Sequence, residues 1–221
     1  MLSPNKHAGF SVVEMLVSLV AGLVVVAGGI SLFASVIISG NTTLMLSRLN
    51  QDLQAVGDII SRDLQRAGYH PSAAEDMALG APTSGAVSPT YVFSTADDLY
   101  SASGAANPSC IRIKYWAPDP PSGSGAVVRV YNYDSVNKAL KVSTSYSEPT
   151  SSALSSGDCS SGSKLVSDDE VLIDALSFEL VSGSSPTGMR TVRVNITAAH
   201  AKKTELSMSL QRQVKIRNDG Y

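Results

Sequence analysis

No charged side chain occurs from residue 15 to residue 47, a run of about 33 positions. Its first part, residues 15–38, is almost wholly Leu, Val, Ala, Gly and Ile, with a few serines. At 1.5 Å per residue, about 24 helical residues reach roughly 36 Å, enough to cross a hydrocarbon layer of about 30 Å. The run exceeds the 7–15 apolar residues of an ordinary secretory signal, and no Ala-x-Ala cleavage site follows it. The pattern therefore predicts a retained membrane-spanning helix. The periodicity continues beyond it. Leu46, Leu49, Leu53, Val56, Ile60, Leu64 and Ala67 recur every three or four positions as one apolar stripe, and Arg48, Asp52, Asp58, Arg62, Asp63 and Arg66 are assigned to its polar flanks. Gly68 and Pro71 then stop the helix. Residues 10–67 are expected to form one helix of about 87 Å. Four unbroken heptads with charged flanks are lacking, so the stripe should pack on a sheet rather than in a coiled coil.

After a loop rich in Ala, Gly, Ser and Pro at residues 71–89, the period changes from 3.6 to 2. Strands are predicted at 90–94, 110–116, 126–133, 139–144, 171–181, 190–198 and 204–216, with a hairpin turn near Asn137. In residues 110–116, Ile111, Ile113 and Tyr115 fall on one face and Arg112, Lys114 and Trp116 on the other; Val192, Val194 and Ile196, then Leu206, Met208 and Leu210, alternate likewise. This alternation indicates antiparallel strands with one buried and one wet face. The fold class is α+β, the long N-terminal helix covering the buried face of an antiparallel β-sheet.

Composition narrows the function. The chain has 221 residues, 43% of them hydrophobic, with 17 Lys+Arg against 19 Asp+Glu; the net charge of −2 excludes nucleic-acid binding by phosphate neutralisation. No enzyme motif is found: His70 and His200 stand 130 positions apart without an HExxH pattern, and there is no GxSxG elbow, P-loop lysine or paired cysteine ligand set. No cofactor is expected. Asp168, Asp169, Glu170 and Asp174 offer oxygens to calcium but lack the EF-hand spacing and glycine, which favours a solvated loop. Cys110 and Cys159 form no CxxC motif. They are either two buried thiols or a disulfide, which an oxidising compartment favours and which would close a loop of about 50 residues, stabilising by roughly 4 kcal/mol on the chain-entropy model.

Orientation comes from Lys6 and His7, which precede the span and favour a cytoplasmic N-terminus, placing the rest outside. Glu14 interrupts the picture of a plain anchor, because a carboxylate at the rim of an apolar span is costly. Gly9-Phe10-Ser11-Val12-Val13-Glu14-Met15-Leu16 resembles the type III signal of type IV pilins and type II secretion pseudopilins. The resemblance implies removal of residues 1–9 by a prepilin peptidase between Gly9 and Phe10, N-methylation of Phe10, and a glutamate, Glu14, at the fifth mature position. In that family the glutamate neutralises the N-terminal amine of a neighbouring subunit, since a buried charge is tolerated only when paired. The helix departs from many major pilins in lacking a proline in its first half; Gly22 and the Gly28-Gly29 pair supply weak points instead.

Residues 60–69, ISRDLQRAGY, are similar to a segment of PilW-type minor pilins and of GspJ-like pseudopilins. The resemblances imply a leader (1–9), a transmembrane assembly helix (10–38), an amphipathic periplasmic half of that helix (39–68) and a periplasmic β-rich domain (69–221), in a pilin-like fold. They also imply a non-enzymatic, PilW-like minor pilin of the inner membrane and pilus, partnered by prepilin peptidase, other minor pilins and the major pilin. The alternatives are a GspJ-like pseudopilin of type II secretion or, from another class, a signal-anchored periplasmic binding domain.

Overall fold

The computed structural model describes residues 9, 11–71, 91–102, 106–119, 121, 125–150, 152–167, 169–182 and 190–217. Helix α1 runs Val12–Arg66. A single helical turn, α2 (Thr95–Asp98), precedes β1 (Leu99–Tyr100), β2 (Cys110–Trp116), β3 (Ala126–Asp134), β4 (Ala139–Ser145) and β5 (Ser163–Lys164). Then come β6 (Val171–Ser182), β7 (Thr191–His200) and β8 (Lys203–Lys215). The fold is α+β, and the strands form two antiparallel sheets rather than one: a five-stranded sheet in the order β1-β2-β3-β4-β5 and a three-stranded sheet in the order β6-β7-β8. They adjoin along β6, whose Ile173 N–H donates to the Lys138 carbonyl at 2.7 Å and whose Phe178 N–H donates to the Pro108 carbonyl at 2.8 Å. The chain divides into two compact units, Met1–Met45 and Leu46–Tyr221, so residues 46–66 of α1 belong with the strands.

Within the second unit the helical stripe forms the floor of the core. Leu49, Leu53, Val56, Ile60, Leu64 and Ala67 are each at most 2% exposed and pack with Ile111, Ile113, Tyr131, Phe178, Val194 and Ile196. Burying each large aliphatic side chain contributes about 1.5–3 kcal/mol, so this face, not helix propensity, holds residues 46–66 in place. The helix ends where glycine is required. Gly68 has φ +80°, a left-handed conformation costly for other residues, and its N–H donates to the Lys114 carbonyl at 2.9 Å. Trp116 N–H in turn donates to the Tyr69 carbonyl at 2.8 Å, so the residues after the helix are fixed on β2.

Two strand expectations are corrected. Thr90 lies outside the described residues, and Tyr91–Ser94 form a turn and bend rather than a strand, because the Ser94 N–H donates to the Asp98 carboxylate at 2.8 Å and closes α2. The short pairing partner of β2 on that side is β1, Leu99 opposite Ile111. The second correction concerns β2, for which alternation implied one wet face. Arg112 and Lys114 are 7% and 4% exposed, because both faces of β2 are covered. In β8, by contrast, Leu206, Met208 and Leu210 are half-buried between exposed Ser207, Ser209 and Gln211, a strand with one wet face.

Candidate assembly helix and the domain behind it

In the first unit, every apolar side chain from Val12 to Leu44 is exposed, with Val12 at 76%, Val25 at 75% and Leu32 at 72%. Soluble monomers do not present an unbroken aliphatic surface of this extent to water. It is long and apolar enough to cross a membrane, which makes it compatible with a single-pass anchor. A carbon added at Gly22, Gly28, Gly29 or Gly40 would meet nothing within 4 Å, so these positions leave flat strips on the helix surface, of the kind that allow another helix to approach closely.

Glu14 occupies the first turn of α1 and is exposed. Ser11 precedes the helix, and its carbonyl accepts the Met15 N–H at 3.1 Å. A carboxylate in a first turn is favoured by the helix dipole by about 0.3–1 kcal/mol. Ser18 Oγ donates to the Glu14 carbonyl at 2.8 Å, and Thr42 and Thr43 bond back to the carbonyls of Ile38 and Ser39, so hydroxyls on the apolar helix satisfy themselves within it. Of the junction residues, Gly9 is exposed, whereas Phe10 and residues 1–8 lie outside the described residues.

The lower part of α1 is tied to both sheets by polar contacts. Asp63 is 3% exposed, not on a wet flank; its Oδ2 accepts from Arg129 Nη1 at 2.7 Å and from Tyr131 Oη at 2.5 Å, both on β3. Burial opposes charge on Arg129, but the hydrogen bond and field of Asp63 outweigh it and raise its pKa. Burial first, and then Asp63, pushes the Tyr131 phenol up. On the next face, Arg212 of β8 donates to Asp58 Oδ1 at 2.6 Å and to Gln54 Oε1 at 2.5 Å. Gly57 lies between these contacts, where a Cβ would come within 2.6 Å of Leu210 Cδ2 and 3.0 Å of Arg212 Nε. A side chain here would force the Leu210 and Arg212 side chains to shift.

The opposite face of the five-stranded sheet carries a second buried ionic group, which periodicity alone assigned to solvent. Asp98, fully buried, accepts from Arg112 Nε at 2.7 Å and from Lys114 Nζ at 2.9 Å. Arg112 Nη2 also donates to the Ser152 carbonyl at 2.6 Å, and Leu154 N–H donates to the Asp97 carbonyl at 2.8 Å. These bonds fasten the β4–β5 connection over the sheet. The disulfide joining Cys110 to Cys159, with Cα atoms 5.9 Å apart, holds the same connection covalently.

The acidic stretch before β6 is not gathered into a ligand set. Asp174 pairs with Lys138 at 2.9 Å, Asp169 and Glu170 sit at the turn into β6, and Asp168 lies outside the described residues. Among the described residues no three His, Cys, Asp or Glu side chains converge as metal ligands.

No curated protein and no solved structure matches the chain. The family model of prepilin peptidase-dependent protein B matches residues 42–216. That span begins beyond residues 15–38 and covers the stripe, the Asp63 contacts, both sheets and the disulfide, so it does not include the Gly9-Phe10…Glu14 pattern. A pilin-like domain follows a helix of membrane-spanning length, and the chain belongs to the prepilin peptidase-dependent protein B family.

Proposed function

We propose that the protein is a minor pilin, a structural and non-enzymatic subunit that helps to initiate type IV pilus assembly. The observation that carries this reading is the fully exposed apolar helix with Glu14 in its first turn, on a chain whose domain belongs to a prepilin-peptidase-dependent family. In this reading prepilin peptidase cuts between Gly9 and Phe10 on the cytoplasmic side, Phe10 is N-methylated, and residues 10–38 hold the subunit in the inner membrane with its domain in the periplasm. The subunit then joins other minor pilins and the major pilin by moving its apolar surface from lipid into a helical bundle. Glu14 pairs there with a neighbouring N-terminal amine. A GspJ-like pseudopilin of type II secretion is the second reading, since the segment 60–69, with its buried Asp63 and helix-ending Gly68, is similar to both groups.

Mass spectrometry of the membrane-extracted protein tests the proposal. The expected mature chain starts at methylated Phe10, and Gly9→Leu blocks the cut. An intact leader in cells with active peptidase overturns it.

A further inference from the structure

We infer that the open edge of β8 docks an extended segment of another protein chain, acidic at its two ends, which adds to the three-stranded sheet as a further antiparallel strand. Of the other strands that end a sheet, β1 and β5 have two residues each, and β6 adjoins the five-stranded sheet. β8 has 13 residues, pairs with β7 on one side, and has no backbone partner on the other among the described residues. A row of unpaired N–H and C=O groups is complementary to one thing above others, an extended peptide backbone.

Register tells which groups are open. Ile216 N–H donates to the Arg190 carbonyl at 2.9 Å, and the same register runs without a bulge from Lys215 opposite Thr191 to Ser207 opposite Ala199. Hydrogen-bonded pairs alternate along an antiparallel ladder, so Met208, Leu210, Arg212 and Val214 bond to β7. Ser207, Ser209, Gln211, Gln213 and Lys215 therefore turn their N–H and C=O to the open side, and all five are exposed. Leu210 and Arg212 lie over Gly57 of α1, which puts Met208 on the helix side with them, and Met208 and Leu210 are only half-buried. An added strand would set apolar side chains beside these two and polar ones beside Ser209 and Gln211.

Natural sheets blunt their edges with proline, bulges or outward charge. From Ser207 to Val214 this edge has none of them: the one ionised side chain, Arg212, faces α1 and is bound to Asp58 and Gln54. Charge stands at the two ends instead. Lys215 and Arg217 lie at one end, Lys202 and Lys203 at the other, against the single carboxylate of Glu205. Among the described residues none of the four cations has a carboxylate partner. Acidic residues at both ends of the incoming segment complement them. A second copy of β8 would set the same positive excess against itself, so the occupant is a different chain.

The test uses the full chain in a zwitterionic detergent and a fluorescent peptide that alternates threonine and valine between paired glutamates, with binding read by anisotropy. Valines placed beside Met208 and Leu210 turn their N–H away from β8, whereas the threonines turn theirs toward it. Methylating the threonine nitrogens is therefore expected to weaken binding about tenfold or more, and methylating the valine nitrogens less than about threefold. Gln213→Pro removes an outward N–H and no ladder bond, so it should keep the thermal midpoint and weaken binding about tenfold. Should it lower the midpoint, the two methylated peptides decide alone. The proposal is overturned if the peptide does not bind, if the two methylated peptides bind alike, or if a peptide with lysines in place of the glutamates binds as tightly. It is also overturned if sedimentation finds a dimer that Gln213→Pro dissociates, because a second copy then occupies the edge. None of these readouts needs leader removal or a filament, so failure here leaves the minor-pilin reading standing, and the reverse holds.

Discussion

The two ends of α1 obey opposite rules within one helix. Residues 12–44 are apolar on every side and expose all of it, whereas residues 46–66 are apolar on one stripe and bury it to within a few per cent. The first pattern suits a surrounding with no water, lipid or other helices; the second suits a helix with water on one side and a core on the other. Glutamate and aspartate mark the contrast. Glu14 is exposed at the start of the apolar part, with no partner supplied by the described residues of its own unit, whereas Asp63 is buried with two donors from β3. One carboxylate is left exposed by its own unit; the other is satisfied at home.

The sharpest way to break this comparison is Glu14→Ala. In a filament it would strand a neighbour's amine at a cost on the order of 3–5 kcal/mol, while alanine is the better helix former. Expression, insertion and cutting are expected to be normal. Recovery in sheared pili, measured by immunoblot, should fall at least tenfold, and equal recovery of mutant and wild type would remove the proposed role of Glu14. Asp63→Ala reverses the pattern: it leaves Arg129 without its carboxylate and is expected to cost about 2–4 kcal/mol, a drop of roughly 5–10 °C in thermal midpoint. Asp63→Asn should cost less, because it keeps an acceptor for Tyr131. An unchanged midpoint in Asp63→Ala would show that the apolar stripe alone fixes the helix.

A comparable effect is expected at the outer face of the five-stranded sheet. Replacing both Cys110 and Cys159 by Ser should lower stability by about 2–4 kcal/mol without reducing insertion of the apolar helix, and non-reducing peptide mapping of envelope protein should find the two cysteines linked. Freely alkylatable thiols there would refute the linkage. The smallest effect concerns pH, and it should involve the second unit alone. Tyr131 and Tyr91 both have raised pKa values, chiefly from burial, with Asp63 and Glu148 adding to it. Their protonated forms favour the folded state, so this stability is complete below about pH 10 and is lost as pH rises through the raised values. Asp134 is held low by its hydrogen bond from Lys141 and then those from Asn137, and Asp158 by those from Ser155. That contribution is present above about pH 4 and is lost as pH falls through the lowered values. Thermal midpoints should therefore decline at both extremes, and a flat profile would contradict the assignment.

What could be read from the chain, and what could not, follows from how each feature is encoded. The helix, the β3–β4 hairpin and the long strands β6–β8 repeat their period over many residues, and their expected bounds fall within about two positions of those observed. The division into two sheets had no such signal: β1 and β5 are two residues each, and α2 is four. Arg112 and Lys114 alternate as a wet face would. What covers them is the turn ending in Asp98 and the aperiodic β4–β5 connection, and a pairing across chain separations of 14 and 40 residues leaves no local pattern. Asp63 was assigned to a polar flank although the sequence carried a signal against it. It stands three positions after Ile60 and four before Ala67, within the apolar stripe, and a charge at stripe spacing is a sign of a buried partner. The role of Glu14, by contrast, is a matter of chemistry between chains, and only resemblance to a family suggests it.

The bridge between Cys110 and Cys159 also changes what the subunit does under load. It closes a covalent ring holding nearly all of β2 together with the whole β3–β4 hairpin, so a pull on the two ends of the chain passes through the sulfurs and bypasses everything between them. With a sequence separation of 49, the ring withholds roughly 160–175 Å of contour length from extension. Tension can peel β6, β7 and β8 from the body, but the central hairpin is shielded from the force.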